Sequence, residues 1–511
     1  MILKGEGLSV QDLAQIAHHP DVRVEVSAGA REAMKASRSY IENRIQRGDV
    51  MYGVNTGFGA FSSVRISDAE IETLQRNLIR SHSAGIGEPF TREQTRAMMG
   101  LRANTLARGH SGVRAEVVDK ILEFLNKNII PVIPSQGSVG ASGDLAPLSH
   151  LALALIGEGE IWGDDGRPQS AAKVLSAKGV APLVLQAKEG LSLINGCQVM
   201  TGVGMLAALR AQRLLLMADI AGALSLEGLR GSRLAFDPLI AATRPHPGEA
   251  MTARNLLKIL GSQSAISESH AGCGRVQDSY SLRCMPAVHG AAKDALRQVW
   301  KTLEVEANSS TDNPLVFAAE DKVLSCGNFH GEPVAMQMDF AGIALSVVAS
   351  ISECRISKLI NPAFSELPAF LAPNGGLNSG HMIVQVAAAA LVSENKVLSH
   401  PACVDSIPTS TDKEDHVSMG TIAARKFEKI LSNAEQVLTM ELLSGAQAID
   451  LLAPLKPAAG VAAAYDLIRT RVPFAKEDRI FAHDVQTLYR EFVAGNRLVD
   501  VVQKTVGGLE W

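Results

Sequence analysis

Long helical stretches constrain the fold of this 511-residue chain more than any other feature. Hydrophobic residues recur in them with the helical period, and Ala, Leu, Met, Glu and Lys, all strong helix formers, dominate their composition. Four such stretches are predicted, over about 198–228, 334–360, 380–398 and 418–448. Strand signals are few, and they predict two short hairpins near 160–166 and 315–324. Helices of this length are typical of a bundle.

The character of the sequence changes near residue 196. Before it, segments are short and punctuated by Gly and Pro, and three helices are predicted. They run from a Ser67–Glu70 capping box to about Ser81, from a Thr91–Gln94 box to about Arg108, and from about Arg114 to Lys127. We therefore predict an N-terminal head over 1–196 and a long-helix bundle over 197–511, without a flexible linker. The broad apolar helix faces favour a homo-oligomer, although one chain's own bundle is the alternative.

Composition argues against several classes of function. The net charge is −4 and aromatic residues make up 4% of the chain, so neither a basic patch nor a stacking platform for nucleic acid is indicated. The six Cys form no C-x-x-C pair, which favours free thiols in a reducing cytoplasm and no metal site. The stretch Thr201–Gly222 is the most apolar, but Arg210, Arg213 and Asp219 interrupt it. We therefore expect no membrane association.

The segment Gly137–Pro147 is a sharp turn of small residues that leads into a helix. It contains Ala141-Ser142-Gly143, and small residues let a backbone fold back on itself and let other groups approach closely. The segment misses the G-x-S-x-G pattern by one residue, and no P-loop or H-E-x-x-H motif is present. Taken alone, Ala-Ser-Gly is close to a chance occurrence.

Two further clusters carry a tyrosine. Tyr52-Gly53-Val54-Asn55-Thr56-Gly57-Phe58-Gly59 predicts a lid-like loop whose phenol is a candidate general base, or else a structural Gly-rich turn. Gln277, Tyr280 and Arg283 recur at every third residue, which places them near one face if the segment is helical. Arg283 is then a candidate carboxylate ligand, or else an ordinary surface arginine.

Two clusters carry imidazole and carboxylate groups. Ser81-His82 closes a predicted helix, where a histidine usually complements the helix dipole. Asp412-Lys413-Glu414-Asp415-His416 precedes a long helix, where a charge run is usually a solvated first turn. If Glu414 were buried, it would instead be an acceptor for an imidazole N–H.

Together these clusters resemble the aromatic amino acid ammonia-lyase family, and most closely its histidine-specific members. The resemblance spans nearly the whole chain and is carried by residues 52–59, 74–87, 137–147, 188–196, 276–284, 310–315, 327–330, 374–376 and 414–419. It implies an all-α fold of the ammonia-lyase/fumarase type, with an N-terminal head and a long antiparallel helix bundle. It also implies a cytoplasmic homotetramer whose active sites take residues from three chains.

The resemblance implies a carbon–nitrogen lyase with a self-made electrophile. Ala141, Ser142 and Gly143 would condense to 4-methylideneimidazol-5-one (MIO), so no external cofactor is needed. Arg283 would bind the substrate carboxylate, and Tyr52 would remove the β-proton, with Tyr280 as the alternative base. The remaining site residues would be Asn195, which also supports the MIO carbonyl, together with Gln277 and Phe329.

Two positions bear on the substrate ring. Ser81-His82 and Glu414 resemble the histidine-specific members, because both side chains can hydrogen-bond an imidazole and a phenyl ring would leave them unpaired. The implied reaction is the conversion of L-histidine to trans-urocanate and ammonia, the first step of histidine degradation. The alternatives are a tyrosine or phenylalanine ammonia-lyase, an MIO-dependent aminomutase, or a non-catalytic helical oligomer. The chain departs from the family at Asp412-Lys413, usually Asn-Gln, and at His381, usually hydrophobic.

Overall fold

The computed structural model describes residues 1–57, 59–61 and 63–511. Beyond residue 196, its longest elements are the helices Gln198–Gly228, Met285–Ala307, Glu332–Leu359, Met382–Leu398 and Gly420–Leu451. Four of these confirm the stretches predicted from periodicity to within three residues at each end. The helix Met285–Ala307 was not predicted. The all-α fold class is confirmed, since the strands in the described chain form only two-stranded pairs.

The N-terminal part of the chain is built from helices of 6 to 19 residues. They are Val10–His18, Ala28–Gln46, Ile71–His82, Arg92–Ala107, Ala115–Asn126, Leu145–Leu155, Ala171–Ala177 and Glu189–Ile194, with 3-10 turns at Gly59–Phe61 and Asp68–Glu70.

The two capping boxes predicted for these helices have different outcomes. At Thr91 the box forms, because the hydroxyl accepts from the Gln94 N–H and the Gln94 side chain accepts from the Thr91 N–H. At Ser67 the prediction is wrong. The hydroxyl donates to the Glu70 carboxylate at 2.6 Å and makes no cap bond to the backbone. A 3-10 turn at Asp68–Glu70 precedes the α-helix, which runs from Ile71 to His82.

The strands pair locally. Ile2–Leu3 lies parallel to Glu25–Val26, and three antiparallel pairs follow. They join Ile86–Pro89 to Pro134–Gln136, Glu160–Trp162 to Pro168–Ser170, and Leu315–Phe317 to Lys322–Leu324. The last two pairs confirm the predicted hairpins.

The chain divides into two compact units, each discontinuous in sequence. The first comprises 1–207, 299–339 and 401–427, and the second comprises 208–298, 340–400 and 428–511. Four of the limits fall within long helices, and the fifth, between residues 400 and 401, follows the end of Met382–Leu398. The assignment of 1–196 to a head and 197–511 to a bundle rests on composition and stays a prediction.

The first unit is organised around the helix Arg92–Ala107. Thr95–Leu106 is buried on every side, and the flanking helices Val10–His18 and Ala115–Asn126 pack against it. The buried Arg102 donates to the carbonyls of Ser192 and Asn195 at 2.6 and 2.9 Å. A buried arginine needs such partners, because an unpaired charge in the interior is strongly destabilising. The helix thereby fixes the backbone of the segment that carries Asn195.

The second unit contains the remaining helices and two buried charge clusters. Asp219 accepts from His289, Lys293 and Asn255, while Glu441 forms a bidentate pair with Arg355. The shorter helices of this unit are Pro238–Thr243, Pro247–Leu260, Ala265–Glu268, Tyr280–Arg283, Pro362–Ser365, Ala459–Arg469, Phe481–Leu488 and Arg497–Val506, with 3-10 turns at Arg233–Phe236 and Ala369–Leu371 and a π-helical turn at Tyr489–Val493.

Two helices are long and apolar enough to cross a membrane by length and composition alone. They are Gln198–Gly228 and Glu332–Leu359. Their most apolar windows are 72% and 56% buried within the protein, as expected of core helices. Length and apolarity are therefore weak indications of a span here.

Candidate active site

A cavity of about 900 Å³ lies in the first unit. Its lining draws on loops far apart in sequence, around residues 52–61, 141–145, 325–330 and 410–416, and on the helix Ile71–His82. Seven of the residues singled out from the sequence line it: Tyr52, His82, Ala141, Ser142, Asn195, Phe329 and Glu414. Gly143 follows directly on Ser142. The cavity therefore brings together eight of the eleven catalytic and substrate-binding residues predicted from the sequence.

The Ala-Ser-Gly turn is held by an unusually close backbone approach. Gly143 has a φ of +75°, and a Cβ built on it would lie 2.2 Å from the carbonyl oxygen of Gly196. The neighbouring backbone groups bond across this contact, with the Asp144 N–H donating to Gly196 O and the Gly196 N–H donating to Ser142 O. Only glycine satisfies both the left-handed φ and the lack of space. The turn is therefore built for a small residue at position 143.

Asp144 anchors the turn to two helices. Its fully buried carboxylate accepts from the N–H groups of Val199 and Met200 in the first turn of Gln198–Gly228, and from the hydroxyl of Thr421 in the first turn of Gly420–Leu451. Burial raises the pKa of Asp144 to about 6, although these donors act to lower it. A carboxylate at a helix N-terminus is favoured by the helix dipole. The sequence carried no signal of this role, because Asp144 makes no side-chain cap on its own helix and these bonded groups lie 55 or more residues away.

Asn195 supports the turn from the other side. Its side-chain amide donates to the carbonyl oxygen of Ser142 at 2.9 Å, and Arg102 donates to the backbone carbonyl of Asn195. The Asn195 Oδ1 atom is buried and has no hydrogen-bond partner among the described residues. A buried polar atom without a partner is costly, so an unpaired acceptor beside Ser142 indicates a functional constraint.

Glu414 lies against the hydroxyl of Ser142. Its Oε1 accepts from Ser142 Oγ at 2.9 Å, and its Oε2 accepts from Thr409 Oγ1 at 2.8 Å and Ser410 Oγ at 2.9 Å. The side chain is half-buried. The sequence left open whether Glu414 is solvated or an acceptor inside a site, and the structure shows it as an acceptor that lines the cavity.

His82 supplies an imidazole to the same cavity. Its Nδ1 lies 2.9 Å from the carbonyl oxygen of Leu78, which can only accept, so Nδ1 carries the proton and Nε2 is left as an acceptor. Burial lowers the pKa of His82, while the Leu78 carbonyl and the charge of Glu414 act to raise it. The imidazole is therefore mostly neutral near pH 7.

Tyr52 and Phe329 lie on loops that line the cavity. Tyr52 is half-buried, and the neighbouring Phe58 of the same cluster lies outside the described residues. The carbonyl of Phe329 accepts from the thiol of Cys197 at 3.1 Å. Burial raises the pKa of Cys197 well above its usual value, so the thiol stays protonated and can act as this donor.

Gln277, Tyr280 and Arg283 belong to the second unit and are not among the residues that line this cavity. The helical face predicted for them is wrong, because the helix covers only Tyr280–Arg283 and Gln277 precedes it in an irregular segment. The three side chains still associate. Arg283 donates to Gln277 Oε1 at 3.1 Å and its guanidinium lies 4.6 Å from the centre of the Tyr280 ring. Tyr280 is 71% exposed.

The two departures from the family pattern have different surroundings. Lys413 is exposed and lines the cavity beside Glu414. His381 is buried in the second unit, where its Nδ1 lies 3.1 Å from Ser444 Oγ and its ring packs edge-on against Phe481. Burial lowers the pKa of His381 to about 3. Of the two, only Lys413 lines the cavity.

The cavity is also lined by His330 and His416, two histidines for which the sequence predicted no catalytic or binding role. His330 Nε2 lies 3.2 Å from the carbonyl oxygen of His416, and the two rings meet edge to face. Across the described residues, no group of three or more His, Cys, Asp or Glu side chains is arranged to hold a metal ion.

Comparison with known proteins identifies the family. Residues 8–470 match the family model described as aromatic amino acid lyase. A curated relative from Sorangium cellulosum, named histidine ammonia-lyase, is 51% identical over 517 residues, covering 99% of this chain and all of the relative.

Solved structures share the fold over the full length. The crystal structure of histidine ammonia-lyase from Trypanosoma cruzi is 42% identical, with a TM-score of 0.92 over 99% of this chain and 95% of that one. Tyrosine aminomutase from Streptomyces globisporus is 36% identical, with a TM-score of 0.94 over the whole of both chains. The fold is therefore shared by lyases and aminomutases.

The Gly143–Gly196 contact predicts a large effect of Gly143→Ala. A left-handed alanine alone costs about 1 kcal/mol, and overpacking against Gly196 adds about 1–3 kcal/mol. The matched control is Gly166→Ala, which has a φ of +79° and no atom within 4 Å of the added Cβ. The measurement is the apparent free energy of unfolding by chemical denaturation. Equal losses in the two variants would show that the close contact contributes nothing.

Proposed function

The chain belongs to the aromatic amino acid lyase family, and we propose that it eliminates ammonia from L-histidine to give trans-urocanate. One observation carries the choice of substrate: His82 and Glu414 line the same cavity as Ser142. Both can accept an N–H from an imidazole ring, whereas an apolar phenyl ring would leave these polar groups unpaired. The name of the 51% identical relative supports the same substrate.

We infer that Ala141, Ser142 and Gly143 condense to MIO. The residues present fit this group, because Gly143 is held without room for a side chain and Asn195 already binds the Ser142 carbonyl. The unpaired Oδ1 of Asn195 supplies a further acceptor beside the turn. When formed, the group would supply an electrophilic methylidene carbon for the substrate amine.

The chain's own side chains bind the substrate and move its proton. Tyr52 lines the cavity, and we assign it removal of the β-proton, a weakly acidic proton that needs a well-placed base. Phe329 packs against the substrate, while the neutral His82 and Glu414 hold the ring. Arg283 binds the carboxylate through its guanidinium fork, with Gln277 and Tyr280 beside it.

We propose that Gln277, Tyr280 and Arg283 reach the cavity from other copies of the chain in a homotetramer. Their segment is highly accessible, with Tyr280 71% and Val276 95% exposed. The helix Glu332–Leu359 also carries an exposed apolar stripe of Phe340, Ile343 and Val347 at helical spacing. Such a stripe is typical of a surface buried between subunits.

The cytoplasm is the compartment that fits the chain. All six cysteines are free, and unpaired thiols are typical of reducing compartments. Sequence identity is higher to the two histidine ammonia-lyases, at 51% and 42%, than to the tyrosine aminomutase, at 36%. We therefore favour release of the amine over its re-addition at the β-carbon.

The proposed reaction predicts a rise in ultraviolet absorbance when the purified protein meets L-histidine without added cofactor, because a conjugated acrylate forms. Ser142→Ala is expected to reduce the rate to background, since the electrophile cannot form. Parallel assays with tyrosine and phenylalanine, and chromatography for β-amino acids, test the alternatives. No absorbance change with protein whose intact mass lacks two waters would contradict histidine elimination.

The ring assignment predicts the effect of His82→Leu. Loss of the imidazole leaves a ring N–H of histidine unpaired, so kcat/KM for histidine is expected to fall about tenfold to a hundredfold. Activity on phenylalanine is expected to stay level or rise. Intact mass checks that maturation is unaffected. An equal fall for both substrates would remove His82 from ring recognition.

A shared site predicts complementation between two inactive variants. Chains carrying Tyr52→Phe and chains carrying Arg283→Ala are each expected to be nearly inactive. The two variants are co-expressed, and hybrids are isolated through two different tags. In about a quarter of their sites, random assembly pairs a chain with an intact Tyr52 and a chain with an intact Arg283, so about a quarter of the wild-type activity is expected. Hybrids as inactive as either parent would show that both residues come from one chain.

A further inference from the structure

We propose that Glu414 catalyses the dehydration of Ser142 that completes the electrophile, in addition to its part in holding the substrate ring. The inference rests on the proposed function, because it presupposes that Ala141-Ser142-Gly143 forms MIO. It assigns Glu414 a step in the chain's own maturation, before any substrate is bound.

The geometry places the carboxylate at the bond that must break. Glu414 Oε1 lies 2.9 Å from Ser142 Oγ, the atom that leaves as water. Its other oxygen is fixed by two hydroxyls, Thr409 Oγ1 at 2.8 Å and Ser410 Oγ at 2.9 Å. The carboxylate is thereby oriented with one oxygen on its reaction partner, as general acid–base catalysis requires.

One carboxylate is sufficient for the whole proton movement. After Gly143 N has bonded to the Ala141 carbonyl carbon and one water has left, Glu414 takes the Cα proton of Ser142 and delivers it to Oγ. The Cα–H and Cβ–Oγ bonds break, a Cα=Cβ double bond forms and a second water leaves. Atoms and charge balance without an oxidant or reductant, and Oγ and Cα are only two bonds apart.

Two other ionisable groups near the turn, Asp144 and His82, bond to other partners. Both oxygens of Asp144 accept from protein donors, namely Val199 N, Met200 N, Thr421 Oγ1 and Ser138 Oγ. The protonated Nδ1 of His82 is bound to the Leu78 carbonyl. Glu414, by contrast, accepts directly from Ser142 Oγ.

The test is intact-mass spectrometry of the full chain during and after expression, with Glu414→Gln and the matched control Asp415→Asn. Asp415 is a neighbouring carboxylate that also lines the cavity. We expect wild type and Asp415→Asn to lack two waters. In Glu414→Gln, we expect the second water to be lost about 10²–10⁴-fold more slowly, leaving a species that lacks at most one. Far-UV circular dichroism checks the fold of each variant.

Each outcome decides the question. If Glu414→Gln loses both waters as fast as wild type, Glu414 has no role in maturation, even if the variant is inactive toward histidine. Slow maturation in Asp415→Asn as well would show a general effect of the loop and would also overturn it. If Glu414→Gln does not fold, Glu414→Asp takes its place, with slower loss of the second water supporting the proposal and an unchanged rate overturning it. A wild-type mass without any water loss would instead refute the electrophile itself.

Discussion

The buried carboxylate of Asp144 is the interaction on which the site depends. It binds two N–H groups at the start of one long helix and a hydroxyl at the start of another, and it directly follows the Ala-Ser-Gly turn. Hydrogen bonds to a charged group are worth about 1.5–3 kcal/mol each, and the helix dipole adds to them. Burial raises the pKa of Asp144 to about 6, so the group is largely ionised near pH 7. A movement of the turn would therefore break the hydrogen bonds between the Asp144 carboxylate and the first turns of two helices.

The close approach of Gly143 and Gly196 follows from this anchor. Asp144 bonds through its side chain to the helix that begins at Gln198 and through its N–H to the carbonyl of Gly196. Both hydrogen bonds hold the segments around Gly143 and Gly196 close together. A Cβ on Gly143 would lie 2.2 Å from Gly196 O. Glycine adopts this left-handed φ without strain, so the close approach excludes every larger residue at position 143. Asn195, held by Arg102, completes the enclosure of the Ser142 carbonyl.

Local signals in the sequence were sufficient where local interactions decide the structure. The Thr91 capping box and the long periodic helices formed as predicted, since their hydrogen bonds lie within a few residues. At Ser67 the hydroxyl bonds to the Glu70 side chain and caps no backbone N–H, and a 3-10 turn forms there instead, a difference that the sequence pattern does not show. The roles of Asp144 and Arg102 could not be predicted, because their partners lie more than 50 residues away. The three-residue spacing from Gln277 to Arg283 was misleading, because the helix that would give it meaning is only one turn long.

On the proposed maturation, the Glu414 carboxylate acts twice, first in the dehydration of Ser142 and then in binding the substrate ring. Its Oε2 is held by Thr409 and Ser410 regardless of what happens at Ser142, so the carboxylate keeps its orientation. Its Oε1 accepts from the Ser142 hydroxyl, and on the proposed maturation that donor departs as water. The oxygen is then left beside the cavity without its former partner, and an unpaired, partly buried acceptor favours a ligand that brings an N–H. An imidazole ring supplies such a donor and a phenyl ring does not. Completion of the electrophile would thus itself create the acceptor that selects the ring.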